Sequence, residues 1–188
     1  MNTPNKLTVF RIILAPVFFT VLLLNIKYSF LFAELIFVVA AITDFIDGKL
    51  ARSNNQITTL GKLLDPLADK MLVTAALLGL MHFGFCSHWI VFVVLTREYA
   101  VTSMRMIALS QNIVIPANIW GKIKTASQMV SVILVLLLGG IEQLGVEMPI
   151  SLSIIGNVLF GITAVFAVVS GIVYIIDASK KINFNENK

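Results

Sequence analysis

Four aspartates lie inside strongly apolar stretches of this chain, and they limit what it can fold into more than any other feature. One pair is Asp44 and Asp47, and the other is Asp65 and Asp69. An ionised carboxylate in hydrocarbon is costly, so four persist together only where cations bind them or water reaches them. Residues three or four apart share one face of a helix. Two facing helices would therefore form one acidic cage, and carboxylate oxygens suit Mg²⁺ or Mn²⁺.

The composition is that of an integral membrane protein. Of the 188 residues, 58% are hydrophobic and 13% are charged, and the mean hydropathy is +0.94. Such values exclude an ordinary soluble domain. The single cysteine, Cys86, excludes an internal disulfide. The first apolar run starts near Leu7, contains Arg11 and continues as a full span, so we expect no cleavable signal.

Six apolar stretches are long enough to cross a membrane, because a spanning helix needs about 20 residues. The predicted helices run approximately over Leu7–Ile26, Phe30–Leu50, Lys62–Phe83, Trp89–Leu109, Trp120–Gly140 and Leu152–Asp177. We therefore predict an all-α integral membrane protein, a bundle of six transmembrane helices that forms one domain over residues 1–188.

The basic residues predict the orientation of this bundle. One set of helix ends carries Lys6, Arg11, Lys49, Arg52, Lys62, Arg105, Lys122, Lys124, Lys180, Lys181 and Lys188. The other set carries Lys27. The positive-inside rule then places both termini in the cytoplasm. The expected location is a plasma membrane of bacterial type, with the acidic cage facing the cytoplasm.

The acidic segment also follows a fixed spacing from Asp44 to Asp69. It reads D-F-I-D-G-K-L-A-R, then eight residues, then G-K-L-L-D-P-L-A-D. This resembles the signature D-x-x-D-G-x-x-A-R-x8-G-x3-D-x3-D of the CDP-alcohol phosphatidyltransferase family, and every defining position matches. Eight positions with fixed gaps make a specific signal. The layout of six spans fits the same family.

The resemblance implies a role for each position of the motif. Two divalent ions, Mg²⁺ or Mn²⁺, would be bound by Asp44, Asp47, Asp65 and Asp69. Asp69 would also act as general base for the acceptor hydroxyl. The lipid donor CDP-diacylglycerol would contact Asn5, Thr8, Asp47, Gly48, Ala51, Arg52, Gly61 and Asp65.

Elementary chemistry supports part of this assignment and leaves alternatives. Gly48 and Gly61 let a nucleotide approach the backbone closely, although close helix packing would also explain them. Arg52 suits a phosphate or a metal-binding carboxylate. Asn5 and Thr8 either line the nucleotide pocket or cap the first helix. The alternative to metal binding is a purely structural role, in which the aspartates pair with nearby lysines and arginines.

A second polar group indicates the acceptor. Arg97 and Glu98 lie inside the fourth predicted helix, and Arg105 follows two turns later. Lys122 and Lys124 open the fifth helix. Cations that converge on an acidic site favour an anionic acceptor, a phosphorylated alcohol, held by Arg97, Arg105, Lys122 and Lys124. The alternatives are that Glu98 merely neutralises Arg97 and that the lysines are ordinary membrane anchors.

The stretches REYAVTSMR and GKIKTASQ and the opening MNTPNKLTVFRI are similar to the branch of the family that uses sn-glycerol 3-phosphate. That branch implies phosphatidyl transfer with release of CMP, and a homodimer. A sibling that uses inositol phosphate stays open. A divalent-cation carrier would need acids spread through the bilayer depth, and an intramembrane prenyltransferase would need an N-D-x-x-D pattern, which this sequence lacks. We expect no nucleic-acid partner.

Overall fold

The computed structural model of the protein is built from α-helices joined by short connections. It describes residues 3–24, 26–53, 59–111, 113, 115–116 and 118–182, and within these ranges the side chains of 3–6, 44–66 and 69 are not described. The described residues form six helices: α1 Thr3–Leu23, α2 Ser29–Ser53, α3 Thr59–His82, α4 His88–Ser110, α5 Ile119–Gln143 and α6 Leu152–Ser179. The all-α prediction is confirmed, with one helix for each predicted apolar stretch.

The first helix is displaced towards the N-terminus relative to its prediction. It begins at Thr3 instead of Leu7, because polar residues occupy its first turn and an apolar run does not reveal them. It ends at Leu23 instead of Ile26, and Tyr28 follows with a φ of 70°. A left-handed residue reverses the chain after a helix, so the apolar residues beyond Leu23 belong to the turn.

The fifth helix is longer than predicted because its last turn is bonded to α2. Gln143 accepts a hydrogen bond from the backbone N–H of Phe30 at 3.2 Å and donates one to Oγ of Ser29 at 3.1 Å. Gly139 permits this approach, since a Cβ there would lie 2.6 Å from the Phe30 ring. The predicted end at Gly140 is therefore three residues short, and the glycines near it allow α2 and α5 to pack closely.

The helices pack around one main apolar core. α1 lies against α2 and α3, α5 lies against α6 and α2, and α4 lies mainly against α6. Each helix contributes a fully or almost fully buried side chain: Phe18, Phe37, Leu77, Val94, Val132 and Phe160. The rings of Phe18 and Phe37 have centroids 5.6 Å apart, which ties α1 to α2.

The polarity of the bundle is inverted relative to a soluble protein. Large apolar side chains point outward on every helix, among them Ile13, Leu35, Leu67, Phe92, Val130 and Val165. Polar side chains are buried inside, among them Thr8, Arg11, Lys124, Gln128, Ser131 and Thr163. Within the described residues, α5 and α6 are long and apolar enough to cross a membrane, and shorter apolar helical segments occupy Leu7–Leu23, Ser29–Thr43 and Lys70–His82. An apolar exterior over a partly polar interior indicates a membrane protein.

The connection between α3 and α4 is fastened to α6. The carbonyl oxygen of Gly84 accepts hydrogen bonds from Oγ of Ser153 at 2.8 Å and from Nδ2 of Asn157 at 3.1 Å. Gly156 lies between these two residues on α6, directly beneath the carbonyl of Phe85. The same connection buries Cys86, which is 1% exposed.

We expect the Cys86 thiol to resist alkylation in the folded protein. Burial raises the pKa of this thiol to about 12, so at pH 8 its thiolate fraction is ~10⁻⁴, against roughly a quarter for an ordinary cysteine. Iodoacetamide should label the detergent-purified protein far more slowly than the protein unfolded in sodium dodecyl sulfate, and mass spectrometry measures both rates. Equal rates would contradict the described packing of this connection.

Candidate active site

The acidic motif occupies two helices that follow each other in the chain. Asp44 and Asp47 lie in the second half of α2, and Asp65 and Asp69 lie in the first half of α3. The predicted one-turn spacing within each pair is therefore correct. The aspartate side chains lie outside the part that is described, so the cage and its ligand set stay predictions. The surroundings of Asn5, Gly48, Ala51, Arg52 and Gly61 are likewise not described, so their contacts with the donor stay predictions.

The first helix presents two buried polar residues to this region. Thr8 and Arg11 are each 1% exposed, and α1 packs against both helices that carry the motif. Because α1 already begins at Thr3, neither Asn5 nor Thr8 stands at its cap. The capping alternative for these two residues is therefore wrong. A buried guanidinium at Arg11 is expensive in apolar surroundings, which makes this position a functional candidate that the predicted site did not include.

A partly buried ionic network joins α4 to α5. Oε1 of Glu98 accepts hydrogen bonds from Nη1 of Arg97 at 2.8 Å and from Nζ of Lys124 at 2.6 Å. Lys124 is 2% exposed and also donates to Oε1 of Gln128. The predicted neutralisation of Arg97 by Glu98 is thus present. The carboxylate is nevertheless shared between two cations, which leaves the network one positive charge in excess.

This network lies against the first turn of α5. Asn118 caps that helix by accepting a hydrogen bond from the N–H of Gly121 at 2.7 Å. A Cβ on Gly121 would lie 3.5 Å from Nη2 of Arg97, so the guanidinium is close to the helix start. The N-terminus of a helix carries partial positive charge and favours anions. An added cation at this end therefore makes the region attractive to a negatively charged group.

Several buried donors in this region have no acceptor among the described residues. They are Nε of Arg97, Nδ2 of Asn118 and Nε2 of Gln128. A buried N–H without a partner costs free energy, so native structures usually supply an acceptor. Donors in excess of acceptors, together with net positive charge, are the complement of a phosphate.

The other two predicted phosphate-binding residues lie outside this network. Arg105 is exposed, and its guanidinium carbon lies 5.9 Å from the centre of the Tyr174 ring on α6. Lys122 is also exposed, whereas Lys124, two residues later, is buried. The structure thus brings Arg97 and Lys124 together and leaves Arg105 and Lys122 at the surface.

One contact connects the acidic helix to the basic network. Lys70, which directly follows Asp69, donates from Nζ to Oγ1 of Thr102 on α4. Thr102 in turn donates to the backbone carbonyl of Glu98 at 2.8 Å. The middle of α3 is therefore joined through Thr102 to the turn of α4 that carries Arg97 and Glu98.

An apolar groove begins beside the same lysine. It has a volume of about 330 Å³ and lies between α1, α3 and α4. Apolar side chains and one proline form most of its walls: Ala15, Pro16, Phe19, Leu67, Met71, Ala75 and Leu78. Lys70, Thr74 and Tyr99 supply its polar atoms. Leu67 is half exposed on the outer face, and Tyr99 is more than half exposed. The groove is therefore open to the surroundings of the bundle.

Residues 1–175 match the sequence profile of the family described as CDP-alcohol phosphatidyltransferase. The chain belongs to the CDP-alcohol phosphatidyltransferase family. The acidic motif, the six helices and the inverted polarity now have one common explanation in this membrane-associated family of enzymes.

Individual relatives within the CDP-alcohol phosphatidyltransferase family are similar along most of the chain. The CDP-diacylglycerol–glycerol-3-phosphate 3-phosphatidyltransferase of Bacillus subtilis (strain 168) is 40% identical over 148 residues, which cover 72% of this chain and 77% of the relative. The protein of the same description from Rickettsia felis is 32% identical over 173 residues, 92% and 93% of the two chains. A probable phosphatidylglycerophosphate synthase of Mycobacterium tuberculosis is 36% identical, covering 86% and 78%.

Besides Arg11, reasoning from the sequence did not identify Glu98 and Gln128 as residues of the site. The sequence predicts Glu98 only as a neutralising neighbour of Arg97, and it gives no prediction for Gln128. Both surround Lys124 in the folded phosphatidyltransferase. The available signal was spacing, because Lys124 and Gln128 are four apart and share a helix face.

Proposed function

We propose that this chain transfers the phosphatidyl group of CDP-diacylglycerol to sn-glycerol 3-phosphate, giving phosphatidylglycerophosphate and CMP. The observation that carries the proposal is the excess of buried N–H donors around Arg97 and Lys124, in a network that Lys70 and Thr102 join to α3, one of the two helices that bear the acidic motif. Such a site favours binding of an acceptor that carries a phosphate over binding of an uncharged alcohol. The names of the relatives agree with this choice of donor and acceptor.

In the proposed reaction, a hydroxyl oxygen of glycerol 3-phosphate attacks the phosphorus that carries diacylglycerol. The bond from that phosphorus to the phosphate oxygen of CMP breaks, and CMP leaves with the electron pair. The carboxylate of Asp69 takes the proton of the attacking hydroxyl. Arg97 and Lys124 hold the acceptor's phosphate, so that its hydroxyl is presented in one orientation.

The motif also suits the metal ions that the family implies. Two pairs of carboxylates, each spaced by one helical turn on α2 or α3, form an oxygen-rich donor set appropriate for Mg²⁺ or Mn²⁺. Asp44, Asp47, Asp65 and Asp69 would hold two such ions. When bound, these ions neutralise the diphosphate of the donor and stabilise the leaving group.

The membrane arrangement is part of the same proposal. All six helices span the bilayer, both termini are cytoplasmic, and the site opens to the cytoplasm, where glycerol 3-phosphate is dissolved. The ten cations that cluster at one set of helix ends up to Lys181 support this orientation. We also propose that two copies associate as a homodimer, which mass measurement of the detergent-solubilised protein tests directly.

The decisive experiment is an assay of CMP release from CDP-diacylglycerol by the purified protein with Mg²⁺ or Mn²⁺ and a panel of alcohols. We expect glycerol 3-phosphate to be preferred over inositol phosphate, and glycerol and serine to be inactive. Preference for inositol phosphate would assign the chain to the sibling activity. Cation flux in proteoliposomes without CMP release would replace the enzyme by a carrier.

We expect Arg105→Ala to raise the KM for glycerol 3-phosphate by about ten-fold and to change the KM for CDP-diacylglycerol by less than about two-fold. The guanidinium lies at the surface over Tyr174, where it can guide a phosphate towards Arg97. Lys181→Ala, at the exposed end of α6, is the matched control for loss of a surface cation. Equal changes in both KM values would remove Arg105 from the acceptor site.

A further inference from the structure

The carboxylate of Glu98 occupies a special place among the cations of the site. One oxygen, Oε1, accepts from Arg97 on its own helix and from Lys124 on the next helix. We propose that Glu98 is a positioning residue that holds these two cations side by side as the two arms of the acceptor-phosphate site. This inference rests on the proposed function, because it assigns the cations to the acceptor.

A carboxylate is needed here because Lys124 is almost completely buried. The residue is 2% exposed, and a buried ammonium group requires an opposite charge and hydrogen-bond acceptors. Arg97 adds a second cation whose repulsion would otherwise drive the two side chains apart. Sharing one oxygen at 2.8 and 2.6 Å compensates for this repulsion and keeps both nitrogens close together.

Glu98 also leaves donors available on both cations. The Lys124 ammonium has three N–H donors, of which one bonds Glu98 and another bonds Gln128. Arg97 bonds Glu98 through Nη1 alone, and its buried Nε has no acceptor within the described part of the chain. One carboxylate therefore orients two cations without saturating them, which leaves both able to bind a phosphate.

The backbone of this region supports a fixed position for Glu98. Its carbonyl accepts from Thr102, and Thr102 receives the bond from Lys70 on α3. The neighbouring Arg97 is confined on two sides, since added Cβ atoms at Gly121 and Gly171 would lie 3.5 Å and 3.0 Å from its side chain. Contacts with residues of α3, α5 and α6 therefore determine where the shared carboxylate on α4 lies.

The test measures how substitution of Glu98 changes the KM for each of the two substrates. We expect Glu98→Gln to raise the KM for glycerol 3-phosphate by about ten-fold or more, because removing one partner of a buried charge pair is costly. The KM for CDP-diacylglycerol should change by less than about two-fold. Glu98→Asp keeps the charge on a shorter side chain, and its acceptor KM should lie between those of the wild type and Glu98→Gln.

The matched control is Glu34→Gln, the same substitution at a half-buried glutamate of α2 that forms no ion pair with a described side chain. This variant should keep both KM values. A double-mutant cycle adds a readout that a purely structural role would not move. In a Lys124→Gln background, Glu98→Gln should raise the acceptor KM by much less than it does alone, because the residue through which it acts is already lost.

The outcomes separate the two proposals. If the wild-type protein does not use glycerol 3-phosphate, the proposed function fails and Glu98 loses its assigned role. If the wild type uses it but Glu98→Gln behaves like Glu34→Gln, or changes both KM values equally, the positioning role alone is wrong. If Glu98→Gln does not fold, the acceptor KM of Glu98→Asp decides the matter, and a wild-type value overturns the proposal.

Discussion

Asp69→Asn should lower turnover by about a thousand-fold while CDP-diacylglycerol binding stays measurable. An amide of almost the same size cannot take the proton of the attacking hydroxyl, and it is also a poorer metal ligand than a carboxylate. Turnover is measured as CMP release at saturating substrates, and donor binding is measured by the thermal shift that CDP-diacylglycerol produces. Asp69 lies on α3 one turn after Asp65, so the substitution leaves a helical position with unchanged backbone preference.

The control for this prediction is Asp177→Asn, at the last turn of α6 and outside the acidic motif. It removes the same charge from a helix end and should leave turnover unchanged. A near-normal rate for Asp69→Asn would mean that another group accepts the proton. Loss of donor binding together with turnover would instead indicate that Asp69 acts mainly through the bound metal ions.

Gly156→Ala should lower the melting temperature of the detergent-purified protein by about 5 °C, corresponding to roughly 1–3 kcal/mol for an overpacked site in a chain of this size. A Cβ at this position would lie 2.3 Å from the carbonyl oxygen of Phe85. That carbonyl belongs to backbone and cannot rotate away as a flexible side chain can. The adjacent carbonyl of Gly84 is bonded to Ser153 and Asn157, so the whole connection would have to move.

Gly161→Ala provides the matched control on the same helix. A Cβ there has no neighbour within 4 Å, so the substitution gains helix propensity without a clash and should leave the melting temperature unchanged or slightly higher. A fall of equal size in both variants would mean that loss of helix flexibility, and not the contact with Phe85, is responsible.

The helices could be predicted because each one is marked by a long apolar run, and the membrane supplies a length that such runs must match. Two of the boundaries that differ from the prediction, the start of α1 and the end of α5, have separate causes. Thr3 lies before the first apolar run, so the start of α1 is invisible to hydropathy. Gln143 prolongs α5 because its amide bonds to Ser29 and Phe30, which lie more than a hundred residues away in the chain.

The ionic network around Glu98 could be predicted only in part. Two long side chains of opposite charge that are adjacent in sequence can reach each other, and the sequence predicts the contact of Arg97 with Glu98 for that reason. The contact with Lys124 depends on how α4 packs near α5, and no periodicity reveals it. Lys122 and Lys124 show the same limit, because two residues turn a helix by about 200°, and only packing decides which lysine is buried.

The acidic motif, in contrast, could be recognised from the sequence, whereas the structure does not describe its side chains. Their spacing identified the family without any structure, and the family profile over residues 1–175 confirmed that identification. The metal- and donor-binding roles of Asp44, Asp47 and Asp65 follow from the resemblance to the family. They stay predictions, since these side chains lie outside the described part of the chain.

The inverted polarity of the bundle has a consequence for how its cohesion can be engineered. Lipid tails solvate Ile13, Leu35 and Val165 about as well as a protein interior would, so enlarging apolar side chains gains little association energy. Cohesion between helices then depends on close backbone approach at small residues and on a few hydrogen bonds made by hydroxyl and amide side chains. Random exchange among leucine, isoleucine, valine and phenylalanine should be tolerated on the outward faces, whereas contact glycines such as Gly139 should resist replacement.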